Sequence, residues 1–178
     1  MKILVAGISV RAMAESAVRS GYSVLALDAF GDQDLRMAAE SHSLHHDFHS
    51  QYSPWELEKA SRTLRYDAIA YTSNLENHPA ILQSMAGSRP VIGNSPETIR
   101  SVRFWADLFP KLRMAGFSVP DTHICAGTYA ADRGRRWLVK PVLSGGGKGI
   151  RFRHASEQPS NCNIFQEYIP GKSCSASF

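Results

Sequence analysis

Apolar residues fall in short runs separated by polar, glycine and proline joints, and the rhythm changes part-way along the chain. The strand expected over residues 2–6 carries a continuous apolar run after Lys2, the pattern of a parallel strand covered on both faces. Val10, Ala14, Ala17 and Val18 then recur at helical spacing over 10–20, and Gly21 closes that helix. A second strand over 23–27 ends at Asp28, followed by a helical patch over 33–40 and a weak strand near Leu44. Ser53-Pro54 opens another helix, with serine as the cap and proline in the first turn. Strands over 67–71 and 90–92 flank a helix through Ile81 and Leu82. Strand and helix in strict alternation predict a doubly wound, Rossmann-like α/β domain on a parallel sheet.

Asn94-Ser95-Pro96-Glu97 opens a new region, again a cap followed by proline, with a helix running to about Met114 that Pro110 kinks or splits. Gly116 stops it, and the pattern then turns to antiparallel β: a strand over 137–140, a glycine-rich turn, a strand over 149–152 and another over 163–169. The expected division is 1–94 and 95–178, the second part an α+β antiparallel lobe. Residues 173–178 alternate like a strand that has just begun, so the chain reads as a fragment of something longer.

Composition narrows the picture. The chain has 178 residues, 43% of them hydrophobic and 20% charged, which excludes wholesale disorder. Folding at this size buries roughly 70% of the unfolded surface and needs neither disulfides nor metal. No apolar stretch is long enough for a membrane span, and the amino terminus lacks a secretory signal, so the expected location is cytoplasmic. Cys125, Cys162 and Cys174 make no paired motif and read as reduced thiols. The net charge of +4 suits a phosphorylated ligand, and no basic stripe interleaved with aromatics marks a nucleic-acid surface.

Candidate chemistry centres on Ser144-Gly145-Gly146-Gly147-Lys148-Gly149, between two predicted strands. Without Cβ atoms, successive amides can form an anion-binding nest. Each bond to a charged acceptor contributes about 1.5–3 kcal/mol, so two or three amides with Lys148 suffice for a triphosphate. Neither a Walker loop nor a dinucleotide fingerprint is present: Val142 and Gly149 break the first, and the single glycine of Gly7-Ile8-Ser9-Val10-Arg11-Ala12 breaks the second. Asp28 therefore reads as a strand-end cap. His42, His45, His46 and His49 lack zinc spacing and read as a solvated loop, with no metal site. Ser9 and Arg11, with Ser73 and Asn74, fall after strands at the carboxyl edge of the parallel sheet and form a candidate substrate side.

Three motifs in order, Leu138-Val139-Lys140-Pro141, Ser144 to Ile150, and Phe165-Gln166-Glu167-Tyr168-Ile169-Pro170-Gly171, resemble the ATP-grasp superfamily, and the first ninety-four residues resemble its pre-ATP-grasp domain. Within the superfamily the chain is similar to biotin-carboxylase-like carboxylate ligases. The resemblance implies a fragment of an ATP-dependent carboxylate–amine ligase working through an acyl phosphate, with ATP and Mg2+ as cofactors. Its partners would be a small-molecule carboxylate and a nucleophile, with no nucleic acid or membrane; the fragment alone would be inactive. It also implies roles. Lys140 reaches the phosphates, Ser144, Gly145, Gly146, Gly147, Lys148 and Gly149 close over them, and Gln166, Glu167, Tyr168 and Ile169 read adenine, mainly through backbone at Glu167 and Ile169. Arg103 stands nearest to the family's linker lysine, and Lys172 after Gly171 leaves the ribose contact unassigned. The metal-binding acids are expected beyond Phe178. The alternative reading is a non-catalytic nucleotide-binding module, or one that forms a homodimer through the amino-terminal domain.

Overall fold

The computed structural model describes residues 1–123, 134–154, 163–172 and 174. Cys125, Cys162 and, apart from Cys174, the alternating run at 173–178 lie outside them. The chain divides into two compact units, Met1–Arg103 and Phe104–Phe178.

In the first unit five strands lie in the order β3-β2-β1-β4-β5. They are β1 (Lys2–Ala6), β2 (Ser23–Asp28), β3 (Glu40–Ser43), β4 (Ala68–Tyr71) and β5 (Val91–Ile92). Every neighbouring pair is parallel. The apolar runs are continuous because side chains alternate between two covered faces. Leu4, Leu25, Leu27 and Ile69 join one core with Leu57 of α3 (Pro54–Ser61), Leu82 and Met85 of α4 (Pro79–Ala86), and Ile99 of α5 (Pro96–Arg103). Ile3, Val5, Val24, Ala26 and Ala70 join the other, with Ala14 of α1 (Arg11–Arg19) and Leu35 of α2 (Gln33–Ala38). Each fully buried Leu or Ile contributes about 1.5–3 kcal/mol, which makes this unit a doubly wound α/β layer with a core on both sides.

Local signals explain the helix starts. Ser53 Oγ accepts from Glu56 N at 3.1 Å ahead of Pro54, and Ser95 Oγ accepts from Thr98 N at 3.2 Å ahead of Pro96. The weak strand expected near Leu44 is β3, one residue earlier, and the strand expected over 149–152 is only Arg151–Phe152. The expected break in the long helix falls elsewhere. α6 (Trp105–Met114) runs through Pro110, and the interruption is at Phe104, whose φ of −87° and ψ of 84° are non-helical. Burial of Ile99 ties α5 to the first core, so the first unit extends past residue 94 to Arg103.

The second unit holds a four-stranded sheet in the order β6-β9-β7-β8, all antiparallel, from β6 (Thr122–His123), β7 (Trp137–Pro141), β8 (Arg151–Phe152) and β9 (Asn163–Glu167). Trp137, Val139 and Phe165 form its core on one face. Among the described residues no helix is long and apolar enough to cross a membrane.

Candidate functional site

The register of β7 and β9 decides which side chains share a face. Val139 pairs with Phe165, and both enter the core. The alternate set therefore stands on the opposite face: Leu138 and Lys140 of β7, Ile164 and Gln166 of β9, Thr122 of β6 and Phe152 of β8. Lys140 is half-buried there, and its Nζ donates to Gln166 Oε1 at 2.5 Å. Burial pushes the Lys140 ammonium below the usual lysine value. Gln166, only 8% exposed, donates from Nε2 to Thr122 Oγ1 at 3.1 Å, and Thr122 Oγ1 donates to the Pro120 carbonyl at 3.1 Å.

The turn that follows β7 folds back on the strand it leaves. Lys148 N donates to Gly145 O at 3.2 Å, with Gly146 and Gly147 both at positive φ (61° and 77°) between them, the requirement of a type I′ turn. Gly149 also lies at positive φ, and a Cβ there would stand 2.9 Å from Pro141 Cγ. Ser144 Oγ donates to Lys148 O at 2.6 Å and closes the loop. Among the described residues, the amides of Gly145, Gly146, Gly147 and Gly149 donate to no backbone acceptor, and Lys148 is exposed.

The segment after β9 has a half-open edge. Glu167 N donates to Asp121 O and Tyr168 N to Arg136 O, each at 2.8 Å. Two groups on the β6 side, the Glu167 carbonyl and the Ile169 amide, make no backbone hydrogen bond among the described residues. The Glu167 carboxylate is engaged elsewhere, 3.4 Å from Arg135 Nη1, which in turn lies 2.7 Å from Asp121 Oδ2. Tyr168 packs edge-on against Phe152 with centroids 5.1 Å apart, and the Arg136 guanidinium lies 4.0 Å over Phe152 and 4.8 Å over Tyr168.

Lys140, the turn and residues 166–169 lie on one ribbon of the second unit, and Arg103 lies in the first unit. That residue ends α5 in the first unit, 3.7 Å from Glu76 Oε1. Two members of the ribbon carried no signal in the sequence. Thr122 sits in a two-residue strand with no motif, and Arg136 shows only as part of a short basic cluster.

In the first unit, the candidate substrate side lies at the switch point, where β1 and β4 are neighbours while the chain leaves them in opposite directions. Much of it is occupied by the protein's own groups. A Cβ on Gly7 would lie 2.0 Å from Thr72 Oγ1, so the space glycine leaves is filled by threonine. Arg11 lies 3.0 Å from Asp34 and 3.9 Å from Glu15. Asn74 Oδ1 accepts from Tyr52 OH, whose pKa burial pushes up to about 12. Ser73 opens a 3₁₀ turn (Ser73–Asn77), and Ser9 is exposed. Asp28 is a buried strand-end cap, its Oδ1 accepting from Phe30 N and Gly31 N at 3.0 and 2.8 Å. Burial raises its pKa despite these bonds.

Residues 106–178 match the family model of the ATP-grasp domain. That match covers most of the second unit. An uncharacterised protein of Methanocaldococcus jannaschii is 27% identical over 198 residues, covering all of this chain and 50% of that protein. The chain thus spans about half the length of the curated relative it matches. In fold it is similar to N5-carboxyaminoimidazole synthetase from Staphylococcus aureus, solved with ADP: TM-score 0.64, 19% identity, 96% of this chain and 48% of that one. It is also similar to L-amino acid ligase from Bacillus licheniformis: TM-score 0.58, 15% identity, 93% of this chain and 43% of that one. A parallel α/β unit followed by an antiparallel sheet is therefore a fold shared with these two proteins. Among the described residues, no group of three or more His, Cys, Asp or Glu side chains could hold a metal ion.

Proposed function

We propose that the ribbon of the second unit binds ATP, and that the whole protein is an ATP-dependent carboxylate ligase. The observation that carries this reading is the pairing, on one small sheet, of a half-buried lysine with a glycine turn whose amides have no backbone acceptor among the described residues. Lys140 and the amides of Gly145, Gly146, Gly147 and Gly149 take the phosphates, with Lys148 adding charge at the surface. The Glu167 carbonyl accepts from the exocyclic amine of adenine, and the Ile169 amide donates to the adjacent ring nitrogen. Tyr168 and Phe152, held by Arg136, form an apolar wall beside them. Magnesium supplies further neutralisation of phosphate charge when bound; none of the described residues is assigned to it.

In the reaction, a carboxylate oxygen of the substrate attacks the terminal phosphorus in line. The bond to the bridging oxygen breaks, ADP leaves with that electron pair, and an acyl phosphate forms. An amine or another nucleophile then attacks the acyl carbon and expels phosphate. The residues described here contribute positioning and charge neutralisation. Ser9, Arg11, Ser73 and Asn74 are assigned to the carboxylate side, where the first unit presents its sheet edge.

Calorimetric titration with ATP tests the binding reading. This chain should bind it, and Lys140→Ala should abolish that binding; unchanged affinity removes the assignment. In the full-length protein, phosphate release should require both magnesium and a carboxylate. Nucleotide binding with no carboxylate-dependent turnover would leave the non-catalytic module instead.

A further inference from the structure

We infer that Gln166 and Thr122 are positioning residues that aim Lys140 through an uncharged relay, leaving its charge for an anionic ligand. The inference rests on the nucleotide reading above and gives Gln166 a different task from adenine recognition.

The direction of the relay follows from the chemistry of its ends. An ammonium only donates, so of the two ends of the Gln166 amide only Oε1 can face Lys140. That orientation turns Nε2 toward Thr122 Oγ1, 3.1 Å away, and the hydroxyl spends its own proton on Pro120 O. Each group in the series donates to the next, and the series is anchored on backbone. Gln166 is 8% exposed, so a flipped amide would set its NH2 against the ammonium with little water to relieve it. Among the described residues, no carboxylate lies within ion-pair distance of Lys140. The same face carries one further cation by register, Arg136, which is stacked on Phe152 and Tyr168. A glutamate at position 166 would hold Lys140 as firmly and cancel its charge. The neutral amide fixes the position and leaves the charge uncompensated.

The test uses the intact chain with 15N-labelled lysine, following the Lys140 ammonium by NMR against pH and ATP affinity by calorimetry. Gln166→Glu should raise the Lys140 midpoint by about one pH unit or more, as an opposite charge within hydrogen-bond reach does, and weaken ATP binding at least about tenfold. Thr122→Val should weaken ATP binding about fivefold, the loss of a neutral hydrogen bond, and Thr122→Ser should restore it. The double variant Gln166→Leu/Thr122→Val should bind no worse than Gln166→Leu alone. An unmoved midpoint in Gln166→Glu, or fully additive losses in the double variant, overturns the relay. Failure of the unaltered chain to bind ATP overturns the nucleotide reading instead, and the NMR midpoint still decides the relay.

Discussion

The two units treat polar groups in opposite ways. At the carboxyl edge of the first unit's sheet, where open α/β sheets tend to bind ligands, the groups meet one another: Thr72 fills the space beside Gly7, Arg11 pairs with Asp34, and Tyr52 donates to Asn74. The sheet beneath is covered on both faces by two extended cores. In the second unit the core is a cluster of Trp137, Val139 and Phe165 on one face, while the other presents Lys140, a glycine turn and an open strand edge. Among the described residues, the first unit pairs most polar groups at this edge with one another, though Asp28 Oδ2 has no partner, whereas the second leaves the turn amides without backbone acceptors. A fold-level rule about where ligands bind thus says less here than the hydrogen-bond partners of each group.

Phe165 offers the largest test of this contrast. Among the described residues Phe165 shares its cluster with Trp137 and Val139, and Phe165→Ala should remove about 3–5 kcal/mol from the second unit. Urea titration followed by tryptophan fluorescence, with Trp55 in the first unit and Trp105 and Trp137 in the second, should then show the second unit unfolding ahead of the first; one unshifted transition would contradict the difference. A smaller effect is expected at the first unit's edge. Gly7→Ala forces a Cβ against Thr72 Oγ1 and should cost about 1–3 kcal/mol, read as a lower denaturation midpoint for the first unit. Full stability in that variant would mean the crevice is open after all.

The smallest effect concerns acid. Burial tends to raise the pKa of Glu58, but bonds from Ser84 Oγ at 2.7 Å and Arg62 Nε at 2.9 Å outweigh it, and the pKa is lowered. Its contribution is therefore present above the ordinary glutamate range and is lost as pH falls through the lowered value. Glu58→Gln should remove about 0.5 kcal/mol of acid-dependent stability from the first unit and leave the second unchanged. Stability measured between neutral pH and pH 3 checks the slope.

Much was legible before any coordinates. The unbroken apolar runs at β1 and β2 announce a parallel sheet covered on both sides, and Ser53-Pro54 and Ser95-Pro96 announce their helices, because burial and capping act over a few neighbouring residues. The glycine turn, too, is readable from composition, since only glycine adopts its backbone angles without strain. Less was legible where partners lie far apart in the chain. Pro110 signals a break that occurs at Phe104 instead, and Ile99 carries α5 into the first core past the expected boundary.

Arg103, the basic residue nearest to the expected linker lysine, ends α5 in the first unit with Glu76 Oε1 3.7 Å away. Gln166, read from the sequence as part of the adenine-reading strand, is set beside Lys140, 26 positions away, by register, and Thr122 lies 44 positions from Gln166. Chain order thus specified most of the elements, two of their caps and the glycine turn, all of which depend on local backbone preference and burial. Which side chains share a face, which amides keep a free edge and which charge stays uncompensated were decided by strand pairing, because a shift of one residue in register would have turned every one of them to the other side.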